Sequence, residues 1–261
     1  MDPLSAKITY EVNVKFSNTV ERMDLSESVR VFRRFAVDQR LLIIKQNNSS
    51  RGPAQPTTDE RVSRIVTAAL EVFSEFSFRS ATTDEIARRA RVSKRDIYAA
   101  FPHKHALLIA VINLALQADD ENFTNVISLT KESTSLQERL EVIGLALINE
   151  ILSPATGFLC RLISSESIHE PQIGAIYFEN WYARRGELIS QVLASHMADA
   201  KRPTRGSDNI NQAAKHYVAL VTHLPQLTVL VGMRGIWNSK SVQAHVKSAV
   251  ECFLRAYPST R

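Results

Sequence analysis

A chain of 261 residues with only 8 glycines, about 3% where ~7% is usual, has few positions for tight turns and hairpins, so an all-α fold is expected. Its length suits two domains of roughly 100–200 residues each. No apolar run approaches the ~18 residues of a membrane span and no secretory apolar segment opens the chain, so a soluble, cytoplasmic protein without membrane partners is expected.

Taken in order, residues 1–50 fit no single pattern. Ile8, Tyr10, Val12, Val14 and Phe16 alternate with polar residues as in a strand. Val29, Phe32 and Ala36 then suggest a weak basic helix. A lone strand has no ladder partner and is marginal in water. Residues 1–56 are therefore read as an N-terminal extension and linker of uncertain structure, ending in the loop-like Asn-Asn-Ser-Ser-Arg-Gly-Pro run.

From 60 to 77 the apolar residues Ile65, Val66, Ala69, Val72, Phe73 and Phe76 recur on one helical face. The stretch from Thr82 to Leu108 then reads as two short helices joined by a tight turn. Thr82 with Glu85, and Ser93 with Asp96, each place a hydroxyl three residues before a carboxylate, the pattern of a capping box. Ile86, Ala87 and Ala90 form one apolar edge, and Ile97 and Phe101 another. Lys94, Arg95 and Tyr98 are left outside that small core. Between residues 79 and 104 seven Lys/Arg (79, 88, 89, 91, 94, 95, 104) stand against three acids (84, 85, 96). Such an excess suits a polyanion. In a helix-turn-helix the N-terminal residues of the second helix meet base edges in the major groove, while hydroxyls and cations hold phosphates.

These residues resemble the N-terminal domain of the TetR/AcrR family of bacterial transcriptional regulators. The likeness is carried by Ala68, Ala69 and Phe73, then Phe78, Thr82, Ile86-Ala87, Ala90, Val92-Ser93, Tyr98, Phe101, Lys104 and Leu107-Leu108. It implies a three-helix DNA-binding domain over 57–103 and a helical ligand-binding and dimerisation domain over 104–261. By the same resemblance Lys94, Arg95 and Ala100 face bases. Thr82, Ser93, Tyr98 and Lys104 hold the phosphate backbone, Thr83 and Arg91 lie beside them, and Arg51 supplies an N-terminal arm. The family usually has glycine where this chain has Ser77 and Arg91. Those positions are expected to take a left-handed backbone, which costs a side chain roughly 1–2 kcal/mol.

Beyond Pro102 the periodicity stays helical. A fourth helix is expected to about Phe123, followed by helices over 136–152, 155–169, 171–200, 208–224 and 239–257, with a short segment at 227–231. Stops or kinks are expected at Ser153-Pro154, Glu170-Pro171, 201–206 and Pro225. Cys160 and Cys252 each read as reduced core thiols. The last helix carries a wide apolar stripe (Val242, Val246, Ala249, Val250, Phe253, Leu254) that must be covered, within the chain or by a two-fold mate. The resemblance implies the mate, hence a homodimer on palindromic double-stranded DNA.

Arg161, Glu166, His169, Tyr177, Trp181, His216 and His223 interleave with aliphatics and are the candidates for a small-molecule effector pocket. Tyr177 and Trp181, four apart, can share a cavity. The composition here is similar to the AefR-like C-terminal domains of the family, which implies a repressor released by an effector of unknown identity. An activator, or a dimeric scaffold with vestigial DNA binding, is the alternative. No nucleotide-binding glycine motif, nucleophile elbow or metalloprotease motif occurs. Neither an enzyme, a cofactor nor a metal is expected, the trio His103-Lys104-His105 reading as solvated surface.

Overall fold

The computed structural model describes residues 58–132, 135–199 and 207–258. The expectations for the N-terminal extension, Arg51 and the break at 201–206 lie outside these residues. Among the described residues every regular element is helical. They form two compact units, 58–115 and 116–258, which divide inside one long helix.

The first unit holds α1 (Thr58–Ser80), α2 (Thr83–Ala90), α3 (Lys94–Ala100) and the first part of α4 (Lys104–Leu129). Ile65, Ala69, Val72 and Phe73 of α1 are buried with Ile86, Ala87 and Ala90 of α2, Ile97 of α3 and Leu107 and Leu108 of α4. Phe73 and Phe78 meet edge to face at 5.2 Å, an arrangement the ring quadrupoles favour. Phe76 departs from its expected place in this core. It is 48% exposed, because α1 is interrupted at Ser77, and the Arg89 guanidinium covers its ring from 5.7 Å.

Ser77 and Arg91 both have positive φ, as the glycine substitutions led us to expect. Arg91 caps α2 in the left-handed region (φ 55, ψ 49), its N–H turned back to Ala87 and Arg88 carbonyls. Ser77 lies at φ 62, ψ 161, a region populated almost only by glycine.

The second unit contains the rest of α4, a 3₁₀ turn (Thr130–Glu132), α5 (Leu136–Leu152) and α6 (Pro154–Glu166). It continues with α7 (Pro171–Tyr177), a π-helical segment (Phe178–Ala183), α8 (Arg184–Asp199), α9 (Ser207–Leu230), a 3₁₀ turn (Arg234–Ile236) and α10 (Ser239–Ala256). The central member is α5, which packs on α6, α9 and α10. Leu140, Ile143, Leu147, Ile148 and Ile151 have no exposed surface. Gly144 lets two of these neighbours close in, since a Cβ there would lie 2.8 Å from the Tyr217 hydroxyl and 2.9 Å from Val246 Cγ1.

One expectation left open is decided here and two are corrected. The apolar stripe of α10 is covered within the chain, with Val242, Val246, Val250, Phe253 and Leu254 buried against α5 and α9. Cys252, on the other side of that helix, is exposed, whereas Cys160 is buried. Pro225 does not stop its helix, because α9 runs through it to Leu230. A proline within a helix leaves the carbonyl four residues earlier without its N–H partner. That carbonyl belongs to Val221, and His245 Nε2 from α10 lies 3.0 Å away. Since a carbonyl only accepts, the proton sits on Nε2. Among the described residues no single helix is long and apolar enough to cross a membrane.

Candidate nucleic-acid interface and effector site

The two short helices are set up by their caps. Thr82 accepts a hydrogen bond from the Glu85 backbone N–H at 3.3 Å. The reciprocal half of that expected box is missing, because the Glu85 carboxylate turns to Arg88 and Arg89 (2.6 and 2.7 Å). At Ser93 the box is complete. Its hydroxyl accepts from Asp96 N–H at 3.1 Å and donates to Asp96 Oδ2 at 2.6 Å, and Asp96 accepts from Ser93 N–H at 2.9 Å. Asp96 is held below the usual carboxylate range by these Ser93 hydrogen bonds.

The arginines of α2 are committed to the protein. Hydrogen bonds from Arg88 and then Arg89 lower the Glu85 pKa to about 2. Arg89 also reaches Glu75 of α1 at 2.6 Å, which raises its own pKa and clamps α2 onto α1. Part of the local positive excess is therefore balanced away from the reading helix.

On α3 only Ile97 is buried. Lys94, Arg95, Tyr98 and Ala100 are exposed. Arg95 makes no hydrogen bond or ion pair among the described residues, whereas Lys94 Nζ lies 2.7 Å from Asp84 Oδ1, and that hydrogen bond raises its pKa. The Tyr98 hydroxyl is 3.4 Å from Thr83 Oγ1, so the two hydroxyls of adjacent helices open on one edge. Arg91 is exposed in the turn and Thr82 at the start of α2. Lys104 is half-buried. Its ammonium donates to the Arg79 carbonyl at 3.3 Å and lies 4.7 Å over the Phe78 ring, so it fastens α4 to the end of α1.

The seven effector candidates are not gathered into one place. Tyr177 and Trp181 do come together, their rings parallel within 6° at 5.7 Å. Glu166 is buried. Arg161, His169, His216 and His223 are exposed: Arg161 donates to the Val229 carbonyl at 3.4 Å, and His216 meets Tyr257 and Gln212 on the surface. What the sequence did not single out is the charge beside the aromatic pair. Arg185, wholly buried, donates to Asp120 and Glu150, each at 2.9 Å, and Trp181 Nε1 donates to the same Glu150 carboxylate. Burial nonetheless raises the Glu150 pKa. Burial also lifts the Cys160 thiol to about 11, which leaves it an inert thiol at neutral pH. The available signal was a pair of charged residues inside apolar helical runs, Glu150 in Ile-Asn-Glu-Ile-Leu above all. Among the described residues no group of three or more His, Cys, Asp or Glu is arranged to hold a metal ion.

A short cationic helix that buries one side chain and turns the rest to solvent, carried by a capped partner helix and continued in a helical bundle, defines a helix-turn-helix DNA-binding regulator. Residues 65–111 match the tetR family of bacterial regulatory proteins, and residues 138–259 the C-terminal domain of AefR-like transcriptional repressors. The HTH-type transcriptional activator FasR of Mycolicibacterium smegmatis is 33% identical over 118 residues, which is 45% of this chain and 52% of FasR. The chain thus spans about half the length of that relative. Among solved structures, a protein from Mesorhizobium loti assigned to the TetR-family regulators superposes with a TM-score of 0.69 at 19% identity, over 77% of this chain and 98% of its own. The flavonoid-responsive regulator FrrA does so with a TM-score of 0.60 at 23% identity, over 76% and 97%. The chain belongs to the TetR family of bacterial transcriptional regulators. Its relatives include HTH-type transcriptional regulators.

Proposed function

We propose that this protein is a dimeric, ligand-responsive repressor that acts in the cytoplasm on a palindromic operator. Base contacts are made by Lys94, Arg95 and Ala100, and backbone contacts by Thr82, Thr83, Arg91, Ser93, Tyr98 and Lys104, with Arg51 as an arm. The observation that carries this reading is the free, exposed Arg95 guanidinium in the first turn of α3, where a bidentate contact to guanine O6 and N7 is within reach of a groove-bound helix. Ser93 and Lys104, whose polar atoms already have partners inside the protein, serve the backbone as positioning groups. Support for the dimer comes from α9, where Leu220, Leu224 and Leu227 are 39–46% exposed, with Val231 just past its end 60% exposed. His223 lies among them, which suits an interface better than an effector pocket.

The effector reading rests on the buried polar and aromatic group around Trp181, on which Tyr177 stacks. A ligand there shifts operator affinity only through its different affinity for the bound and released conformers. A second reading, activation, is favoured by the name of FasR, a transcriptional activator. Fluorescence anisotropy with promoter DNA flanking the gene, at stated salt, is the test. Two chains are expected per site, with preference over unrelated DNA. Arg95→Ala is expected to cost ~1–3 kcal/mol and to relax base preference. Equal affinity for unrelated DNA would instead indicate a scaffold, and transcription in vitro from the bound promoter separates repression from activation.

A further inference from the structure

Five of the described helices begin on an oxygen cap. Thr82, Ser93, Ser135, Ser153 and Asn238 each accept a backbone N–H of the first turn that follows, and hydroxyl and amide side chains carry no charge near neutral pH. The long helix α4 begins otherwise. The Ala106 N–H donates to His103 Nδ1 at 3.1 Å and is shared with the His103 carbonyl, also at 3.1 Å. Ala106 is the third residue of α4, so His103 fills the capping position with an imidazole in place of a hydroxyl or amide. A ring nitrogen that accepts carries no proton, which puts the proton of the neutral ring on Nε2.

This cap has a condition that the other five lack. Once Nδ1 is protonated it can only donate, and it faces a backbone N–H that also only donates. The imidazolium would besides sit at the positive end of the α4 dipole, with no acid in the first turn to offset it. The charged and titratable groups at this junction are Lys104 and His105 on α4 itself, the His105 ring 6.5 Å from that of His103, and Arg79 at the end of α1. All three are cations when protonated, so a charge on His103 gains nothing from them. The chain arrives from α3 through Phe101 and Pro102, which carry no charge. His103 is exposed and so in contact with solvent protons, and imidazole is the side chain whose charge ordinarily changes between about pH 5 and 8. The turn it caps is also the one that grips the DNA-binding unit. Lys104 donates to the Arg79 carbonyl at 3.3 Å and lies over Phe78, and the His105 ring is 5.0 Å from the same phenyl ring.

We propose that His103 is a positioning residue for operator binding that works only as a neutral ring. With Nδ1 unprotonated the first turn of α4 is fixed, and Lys104 with it, while the end of α1 and the reading helix are presented to DNA. As pH falls through the imidazole range the cap is lost, the turn frays and operator affinity drops. The proposal rests on the DNA-binding reading above and deepens it by making the interface sensitive to protons. It assigns no contact between His103 and DNA, since the ring acts through α4.

The test compares the full chain with His103→Asn, whose amide oxygen caps without titrating, and with His103→Ala, which cannot cap at any pH. Anisotropy on promoter DNA and on unrelated DNA is read from about pH 7.5 to 5.5 at constant salt, with urea midpoints over the same range. The other histidines are common to all three proteins, so their share of any pH dependence, that of His105 included, cancels in the comparison. Near pH 7.5 the parent and H103N are expected to match, with H103A weaker on promoter DNA by roughly three- to tenfold, the ordinary worth of a helix cap. Near pH 5.5 the parent is expected to fall to the level of H103A while H103N keeps its advantage. Parallel profiles in the three proteins with promoter preference retained would overturn this proposal and leave the DNA-binding reading intact. A parent that gains on H103N as pH falls would overturn it too, because the imidazolium would then be holding a phosphate itself. A parent whose urea midpoint falls toward that of H103A while its operator affinity does not keeps the cap and refutes the positioning role. Equal affinity of all three proteins for promoter and unrelated DNA removes the operator reading and this proposal with it.

Discussion

Replacing Ser77 by glycine is expected to stabilise the DNA-binding unit. At φ 62 and ψ 161 a side chain sits in a region that costs on the order of 1–3 kcal/mol. Glycine relieves that cost and forfeits about 0.5–1 kcal/mol through its freer unfolded chain. Little else is lost, since the Ser77 hydroxyl makes one exposed, long contact to Ser80 Oγ at 3.5 Å and its carbonyl still accepts from Ala81 N–H at 3.1 Å. The net gain is about 0.5–2 kcal/mol, and in a unit of this size each kcal/mol moves the midpoint by roughly 4–8 °C. Amide exchange in α1 and α2 of the full chain, alongside calorimetry, assigns the gain to the correct unit. Ser74→Gly, one turn earlier inside α1, is the control and is expected to lose ~0.5–1 kcal/mol. A Ser77→Gly protein that is no more stable, or falls with the control, would refute the claim that this backbone is strained.

His245→Phe leaves the Val221 carbonyl without a donor and is expected to cost about 1–3 kcal/mol. Adding Pro225→Ala restores a backbone N–H, so denaturation of the double variant should recover part of that loss. Hydrogen bonds from Arg88 and Arg89 hold the Glu85 pKa down at about 2, below its ordinary value of 4.5, so its contribution is present above the unfolded value and is lost as pH falls through that interval. Glu85→Gln should flatten the acid limb of a urea-midpoint profile. Asp119 has the opposite sign. With its folded pKa raised, the native state holds the proton longer and stability falls as pH climbs above about 4. Urea midpoints of Asp119→Asn should therefore gain on the parent between acidic and neutral pH.

What could be read from the sequence was what neighbouring residues decide. The caps at Thr82 and Ser93, the two left-handed positions and the exposed flank of α3 all depend on residues within a few places of one another. Sequence rules failed where a distant partner intervenes. Pro225 was expected to stop or kink a helix; α9 runs through it, and His245, from another helix, meets the stranded carbonyl. Periodicity identified the apolar face of α10 but not what covers it, which proved to be α5 and α9 of the same chain. The same limit hid the group around Arg185, whose members come from α4, α5 and α8 and share no local spacing. The histidines were singled out because they interleave with aliphatics, but periodicity does not say which face turns outward, and His169, His216 and His223 are exposed.

The bond between Lys94 and Asp84 bears on discrimination. A lysine already neutralised by a carboxylate at 2.7 Å must exchange that partner for DNA, so a stray phosphate offers it little advantage. If Lys94 and Arg95 contact DNA as proposed, Asp84 would act as a resident rival of the nucleic acid, lowering indiscriminate attachment along the duplex and leaving Arg95, which has no hydrogen bond or ion pair among the described residues, to weigh most where the base sequence is right.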